Sequence, residues 1–356
     1  MSFRILLRPL SIFYSGIVRL RARGYRSGMF QTNRLAGVVI SIGNLSVGGT
    51  GKTPMVIYVA GHLLSAGRDV GVLTRGYPGF LKRADTRHIV SGDAGEELPT
   101  SASEEARLIH RRLSSRPDGG SHFRLAIGPK RYENARELEK LGTNWFILDD
   151  GYQRLQLARD VDIVLVDATN PFDGGHLLPG GRLREPPGAL GRSDMIVITR
   201  SSGDAGLEAE LRRYSAAPIF HAQTEFEGAF LLSSDSLRLQ AAELKAKKCF
   251  AFCGIGNPSA FFSDLARWGI PIAGKAVFRD HHVFSREDAR TLEKRAAACG
   301  AEALVCTEKD ALNLMRAPLE KFPVFYCKIK MRPVGEKGFW QEFDRVLARK
   351  RPEIAE

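Results

Sequence analysis

Apolar and polar positions follow two alternating patterns along most of the chain. Short apolar runs, typical of buried strands, alternate with longer segments in which apolar residues recur at helical spacing. This alternation predicts an α/β protein with largely parallel sheets. The predicted strands are Gly37–Ile42, Val70–Thr74, Phe123–Ile127, Trp145–Leu148, Asp162–Val166, Met195–Thr199, Cys249–Cys253, Gly274–Phe278, Leu304–Thr307 and Val324–Cys327.

A polar segment interrupts this alternation and suggests two domains. Ser201–Leu207 carries two glycines after one predicted strand, and a second set of strands begins near Lys248. With 356 residues the chain is long enough for two hydrophobic cores. We expect an N-terminal helix at residues 1–28, a large α/β domain at 29–235, a smaller α/β domain at 245–335 and a C-terminal helix or tail at 336–356.

The first thirty residues predict an amphipathic helix. Its apolar stripe consists of Phe3, Leu6, Leu7, Leu10, Phe13, Tyr14, Ile17 and Leu20, opposite Arg4, Arg8, Ser11, Ser15 and Arg19. The apolar stretch Pro9–Val18 is too short to cross ~30 Å of hydrocarbon, and no small-residue cleavage site follows it. We therefore expect a helix that lies in a membrane interface; a helix packed on the protein body is the alternative.

The distribution of charge supports a polyanionic partner. The net charge is +12, and from Met1 to Arg68 there are nine basic residues and no acidic one. Anionic lipid and nucleic acid are both possible partners for such a segment. The arginines continue to Arg26, beyond the apolar stripe, and aromatic-rich RNA-binding signatures are lacking. We expect an anionic membrane surface, no nucleic acid and no obligate protein partner; the five unpaired cysteines indicate a reducing compartment.

A glycine-rich loop between a predicted strand and a helix is the strongest motif. It comprises Ser46, Val47, Gly48, Gly49, Thr50, Gly51, Lys52 and Thr53. Glycines let backbone N–H groups approach phosphates, and the N-terminus of the following helix adds positive potential. The motif predicts ATP binding, with Lys52 on the β/γ-phosphates and the Thr53 hydroxyl on Mg²⁺. Ser46 stands where such loops usually have their first glycine.

A second motif supplies carboxylates. The apolar run Trp145–Leu148 ends in Asp149, Asp150 and Gly151, as in strands whose acid holds a nucleotide's metal. The alternative is that these carboxylates cap a following helix. Combined with the glycine-rich loop, the pair predicts a P-loop NTPase-type α/β/α sandwich with Asp149 at the metal.

The motifs together resemble the tetraacyldisaccharide 4′-kinase family. They are Arg75–Tyr77, Asp149–Gln153, Leu177–Pro186, Gly254–Pro258, Asp280–His282 and Thr307–Asp310. Their order and extent cover almost the whole chain. The resemblance implies a peripheral, monotopic kinase on the cytoplasmic face of the bacterial inner membrane. It would phosphorylate the 4′-hydroxyl of tetraacyldisaccharide 1-phosphate with ATP, giving lipid IVA in lipid A biosynthesis.

The resemblance also implies roles for single residues. Those expected to cradle ATP are Ser46 to Thr53. Those expected to be catalytic are Asp149, Asp150, Arg184, Glu185 and, from the smaller domain, His281. Those expected near the phosphates or acceptor sugar are Arg75, Tyr77 and Gln153. Lys309 and Asp310 are expected to be structural or to act at a hinge.

One position departs from the family pattern. Where the resemblance implies an Asp that works beside the histidine as general base, this chain has Ser103, followed by Glu104 and Glu105. Serine cannot serve as a comparable base at neutral pH. We expect an active enzyme in which Glu104 replaces this Asp, as base with His281 and as metal ligand. A weakly active or non-catalytic nucleotide-binding relative, and a soluble P-loop NTPase of another class, are the alternatives. A smaller departure is Arg154, where the family usually has His.

Overall fold

The predicted apolar runs form strands of two units in the computed structural model. The structure describes residues 7–76, 87–92, 96, 98–99, 102–117, 120, 122–314 and 319–354. The first unit comprises Met1–Gln223 and Met331–Glu356, and the second comprises Thr224–Lys330. The chain passes from one unit to the other within two strands, Ile219–Leu231 and Val324–Pro333.

The unit boundaries differ from the expected domain limits of 235, 245 and 335. The C-terminal segment expected at 336–356 belongs to the first unit, because its helix buries Phe339, Phe343 and Val346 in the same core as Met55 and Val59. Burial of this apolar face, rather than a composition change along the chain, decides where the segment packs.

The first unit contains eight strands and six helices among its described residues. Its strands are β1 (Val38–Asn44), β2 (Val70–Thr74), β3 (His88–Ser91), β4 (Phe123–Ile127), β5 (Trp145–Asp149), β6 (Val161–Asp167), β7 (Met195–Thr199) and the start of β8 (Ile219–Leu231). Its helices are α1 (Arg8–Arg26), α2 (Lys52–Ser65), α3 (Glu104–Ser114), α4 (Arg131–Lys140), α5 (Ala205–Arg212) and α10 (Glu336–Lys350). Two 3₁₀ turns, Asp173–Gly175 and Pro187–Arg192, lie between β6 and β7, and a third, Pro352–Ile354, follows α10.

The sheet of the first unit has the order β8–β7–β6–β1–β5–β2–β4–β3. Its pairs are parallel except β3 with β4. Val38, Ile40 and Ile42 of β1 pack in a core with α2, whereas Val39 packs on the other face with Ala135. Both faces are therefore covered, and the predicted α/β/α sandwich is confirmed. Since parallel strands end at one edge, the residues after β1, β5 and β2 converge there.

The second unit is a smaller α/β unit, as the pattern predicts. Its strands are the rest of β8, β9 (Ser234–Leu239), β10 (Cys249–Cys253), β11 (Ile272–Val277), β12 (Ala303–Thr307) and β13 (Val324–Pro333); its helices are α6 (Ala241–Lys245), α7 (Pro258–Arg267), α8 (Arg286–Ala298) and α9 (Glu308–Leu314). Strands β11, β10, β12 and β13 pair in this order, all parallel. Four of the cysteines are buried and free, as expected of small apolar residues, and Cys299 is half-buried.

Helix α1 has the reverse of the usual burial pattern. Leu10, Phe13, Ile17 and Leu20 are 54%, 70%, 50% and 69% exposed, while Ser11 and Tyr14 are partly buried against the rest of the first unit. Tyr14 thus leaves the expected apolar stripe. Within the described part of the chain, α1 and the other helices lack the length and hydropathy needed to cross a bilayer.

Candidate active site

The glycine-rich loop lies between β1 and α2, as predicted. Gly48 and Gly51 have φ values of +144° and +89°, which other residues rarely adopt. A Cβ atom at Gly48 would lie 2.7 Å from Arg182 Nη2, and one at Gly51 would lie 2.5 Å from Met331 Cε. Thr50 fixes the loop, since its hydroxyl accepts from Asn44 Nδ2 (2.9 Å) and its carbonyl accepts from Thr199 (3.1 Å). Its backbone and the N-terminus of α2 therefore form a cradle suited to phosphate.

Lys52 and Thr53 begin α2 at the open side of this loop. Lys52 Nζ lies 3.3 Å from Asn44 Oδ1, 3.3 Å from the Gly48 carbonyl oxygen and 3.7 Å from Asp150 Oδ1. Its side chain is 17% exposed, so the ammonium group is held near the loop rather than in bulk water. Thr53 is buried in the first helical turn. Both residues are where the motif predicts them.

Asp149 and Asp150 follow β5 but have opposite protonation properties. Asp149 is buried, and Thr74 Oγ1 donates to its Oδ2 at 3.1 Å. Burial, with the charges of Asp150 and Glu105, raises the pKa of Asp149 to about 6. Burial alone would also raise the pKa of Asp150, but Lys52 and Arg184 hold it well below its usual range. Asp150 is therefore ionised at neutral pH.

Arg184 joins the second carboxylate to the glycine-rich loop. Its guanidinium donates to both Asp150 oxygens at 2.7 and 2.8 Å, to Asn44 Oδ1, and to the Ser46 carbonyl oxygen at 3.0 and 3.2 Å. Such a planar fork fixes orientation as well as charge. The predicted neighbours Ser46, Asp150 and Arg184 are thus brought together.

Gln153 and Glu185 are close to this group but face inward. Gln153 Nε2 donates to the Asn44 carbonyl oxygen and to Glu185 Oε1, both at 3.0 Å. Glu185 is 5% exposed and accepts two bonds from Arg192 at 2.9 and 3.0 Å. The Arg192 guanidinium also lies 4.5 Å from the centre of the Tyr152 ring. Glu185 therefore holds Gln153 and the following turn in place, instead of presenting its carboxylate to a substrate.

A cluster of basic residues surrounds the carboxylates. Arg131, at the start of α4, is 6% exposed and donates to the Gly128 carbonyl oxygen. Burial and the charges of Arg154 and Arg75 lower the pKa of Arg131 to about 9. Burial and the charge of Arg75 also lower the pKa of Arg154. Like charges held this close, beside Asp149 and Asp150, suit a site that receives an anionic ligand.

Ser103 caps helix α3. Its hydroxyl accepts a hydrogen bond from the Ala106 backbone N–H at 3.2 Å, and Glu104 and Glu105 form the first turn. Glu104 is 7% exposed. The residue that replaces the expected Asp therefore has a capping function, and two carboxylates follow it directly.

His281 belongs to the second unit and has an unusual backbone conformation. Its φ is +59°, its N–H donates to the Gly254 carbonyl oxygen at 3.1 Å, and its Nε2 lies 3.8 Å from Asp280 Oδ2. Asp310, expected to be structural, is buried and accepts from the Gly254 N–H at 2.7 Å. Asp310 therefore supports the turn that holds His281.

Some residues of the site were not predicted, and one prediction cannot be placed. Tyr77 lies outside the described residues, whereas Arg75 is exposed just after β2. Asn44, Thr74 and Arg131 were missed. Each follows or ends a parallel strand at the same edge as the loop, and this position was the available signal.

Comparisons with known proteins agree with this site. A model of the family described as tetraacyldisaccharide-1-P 4′-kinase matches residues 3–348. The tetraacyldisaccharide 4′-kinase of Geobacter sulfurreducens is 38% identical over 94% of this chain and 91% of its own length. That of Geobacter metallireducens is 37% identical over 96% and 98%. The crystal structure of the "apo" form of LpxK from Aquifex aeolicus in complex with ATP is 29% identical, with a TM-score of 0.72, over 97% of this chain and 100% of that one.

Proposed function

Since the chain belongs to the tetraacyldisaccharide 4′-kinase family, we propose that it transfers the γ-phosphate of ATP to the 4′-hydroxyl of tetraacyldisaccharide 1-phosphate, giving lipid IVA. The predicted family is confirmed, and with it the prediction of a kinase of lipid A biosynthesis. ATP as phosphoryl donor is supported by the ATP complex of the Aquifex relative.

The arrangement of Lys52 and Arg184 around Asp150 is the observation that carries this proposal. Both cations lie within 3.7 Å of one ionised carboxylate, beside backbone N–H groups of the loop and of α2. Phosphoryl transfer depends chiefly on such positioning and charge neutralisation. Lys52 would bind the β/γ-phosphates, and Arg184 would orient Asp150 and stabilise charge on the transferred group.

Mg²⁺ fits the donor set of this site. Thr53, Asp149 and Asp150 offer hydroxyl and carboxylate oxygens, the hard ligands that this ion takes. When bound, the ion would neutralise charge on the phosphates. We assign Thr53 and Asp149 as its protein ligands, with Glu104 as a further carboxylate. Arg75, Gln153 and Tyr77 would bind the acceptor sugar or its phosphate.

For removal of the acceptor proton we propose Glu104 together with His281. Ser103 cannot accept this proton, and the cap it forms places Glu104 at the start of α3. Glu104→Gln and His281→Gln should each lower turnover about 10²-fold or more. Ser103→Asp keeps a capping side chain and adds the carboxylate that the family resemblance implies, so it should raise turnover in the Glu104→Gln background. Wild-type turnover in both single variants would remove this assignment.

We propose that α1 docks on the anionic cytoplasmic face of the bacterial inner membrane. Its exposed apolar side chains and the exposed Arg19, Arg23 and Arg26 suit such a surface. Phe13→Ser with Ile17→Ser should abolish flotation with phosphatidylglycerol vesicles. Leu141→Ser, which changes an equally exposed residue (52%) elsewhere, is the matched control and should float like wild type. Equal flotation of all three proteins would contradict this docking.

The decisive test of the activity is incubation with γ-labelled ATP, Mg²⁺ and tetraacyldisaccharide 1-phosphate in detergent. Label should appear on the lipid with the wild-type chain and not with Lys52→Ala. ATP hydrolysis without labelled lipid would instead favour a P-loop NTPase of another class.

A further inference from the structure

The inner face of α1 is hydrogen-bonded to the segments that carry the active-site residues. Ser11 Oγ donates to the Leu177 carbonyl oxygen and accepts from the Gly180 N–H, both at 3.0 Å. The Tyr14 hydroxyl donates to the Arg184 carbonyl oxygen at 3.1 Å, and Arg21 Nη1 donates to the Gln153 carbonyl oxygen at 3.2 Å. All of these side chains lie on one face of the helix.

The backbone of Arg184 is held from two sides. Its N–H donates to the Leu45 carbonyl oxygen at 2.7 Å, directly before the glycine-rich loop. Its C=O accepts from Tyr14, as described above. The neighbouring residues continue this pairing, since the Val47 N–H donates to the Arg182 carbonyl oxygen at 2.8 Å. The backbone that aims the Arg184 fork at Asp150 is therefore fixed between the loop and α1.

The outer face of the same helix is the apolar surface. Phe13 and Ile17, 70% and 50% exposed, are within one turn of Tyr14. A helix is only about 10–12 Å thick, so a surface that binds one face lies close to the bonds made by the other. α1 has no side-chain N-cap and no acidic residue in its first turn, so local signals contribute little to its stability. A lipid surface that binds the folded helix would stabilise these hydrogen bonds.

We propose that α1 couples lipid binding to catalysis, with Tyr14 and Ser11 as positioning residues for Arg184. The kinase reaction and the membrane docking proposed above are its premises. The partner of the outer face is a lipid bilayer, and the consequence of docking is a higher turnover number, beyond any gain in local substrate concentration. Neither residue touches the reacting atoms; both act through the backbone of the Leu177–Glu185 segment.

Tyr14→Phe is the first test, because it removes only the hydroxyl group. We expect kcat to fall about fivefold, the effect of one lost hydrogen bond, with unchanged KM for ATP and unchanged flotation with phosphatidylglycerol vesicles. Ser11→Ala should act in the same way, and Ser11→Thr should restore activity. Ser15→Ala, on the same partly buried face, is the matched control and should keep the wild-type kcat. A wild-type kcat for Tyr14→Phe, or a loss that parallels weaker vesicle binding, would overturn the proposal.

The second test separates this proposal from the proposed function. The release of ADP from ATP is measured with a short-chain, water-soluble acceptor, with and without phosphatidylglycerol vesicles. Vesicles should raise the kcat of the wild type, and raise it less in the Tyr14→Phe, Ser11→Ala double variant. Equal stimulation, or none in the wild type, would refute the coupling. A wild-type chain that labels no lipid would refute the acceptor assignment alone, since vesicle stimulation of ADP release would still report on the coupling.

Discussion

Glu185 is expected to stabilise the first unit rather than to take part in the chemistry. Its carboxylate is 5% exposed and accepts bonds from Arg192 Nη1, Arg192 Nη2 and Gln153 Nε2 at 2.9, 3.0 and 3.0 Å. Glu185→Ala removes these acceptors and leaves the Arg192 guanidinium, 16% exposed, without its counter-ion. The perturbation therefore acts on a buried ion pair one residue from Arg184.

The size of the effect follows from this burial. Leaving one partner of a buried pair alone costs about 3–5 kcal/mol. The Tyr152 ring, 4.5 Å from the guanidinium, offsets about 1 kcal/mol of this loss. We expect Glu185→Ala to lower the free energy of unfolding by about 2–4 kcal/mol. Adding Arg192→Met removes the unpaired charge, so the double variant should lose about 2 kcal/mol less than the sum of the single variants.

Urea-induced unfolding, followed by tryptophan fluorescence, measures this change. Trp145 and Trp340 lie in the first unit, so the signal includes the unit that is perturbed. Lys140→Ala breaks an exposed ion pair in the same unit and should leave the midpoint unchanged. An unchanged urea midpoint for Glu185→Ala would refute the reasoning. A catalytic role would instead appear in Glu185→Gln as a more than 10²-fold loss of kcat in fully folded protein.

Three further predictions concern single cations and one histidine. Lys52→Met should lower kcat about 10²–10³-fold in the lipid-labelling assay with little change in the urea midpoint, because the lysine stabilises charge in the transition state. Arg131→Met should raise the free energy of unfolding of the ligand-free protein, because burial opposes this charge and lowers its pKa to about 9, while KM for the lipid rises. Burial lowers the pKa of His62, which stacks on Trp340, so the folded state binds fewer protons than the unfolded state below pH 6.5. Stability should fall as the pH decreases below that value, and urea titrations at several pH values should show a smaller slope for His62→Phe.

The sequence predicts the parts of the site that depend on local chain geometry. The loop from Ser46 to Thr53 and the pair Asp149–Asp150 are contiguous motifs, and their glycines and strand context determine where they lie. Arg184 is different, because its role depends on a fork that reaches Asn44, Ser46 and Asp150 from a distant part of the chain. Long-range pairing of this kind has no local signal, and only the family resemblance indicated it.

The fold follows the same division between local and long-range information. The parallel strands are near-continuous apolar runs, so their positions were predicted to within a few residues. Strands β3, β8 and β9 were missed, because they are half-buried or exposed and lack such runs. The boundary of the units was also displaced, since β8 continues through it and α10 returns to the core of the first unit.

Helix α1 shows why an amphipathic pattern alone leaves its partner open. The stripe Leu10, Phe13 and Ile17 could equally have packed on the protein, the alternative that the sequence allowed. The structure instead exposes these residues and turns Ser11 and Tyr14 inward, where their hydroxyl groups bond to backbone atoms that need partners. A small polar face suits a contact with irregular backbone, whereas an apolar face in water is unfavourable and requires an apolar environment. The polarity of each face therefore assigns one to the active-site segment and the other to lipid, and this is the physical reason to expect catalysis to respond to the membrane.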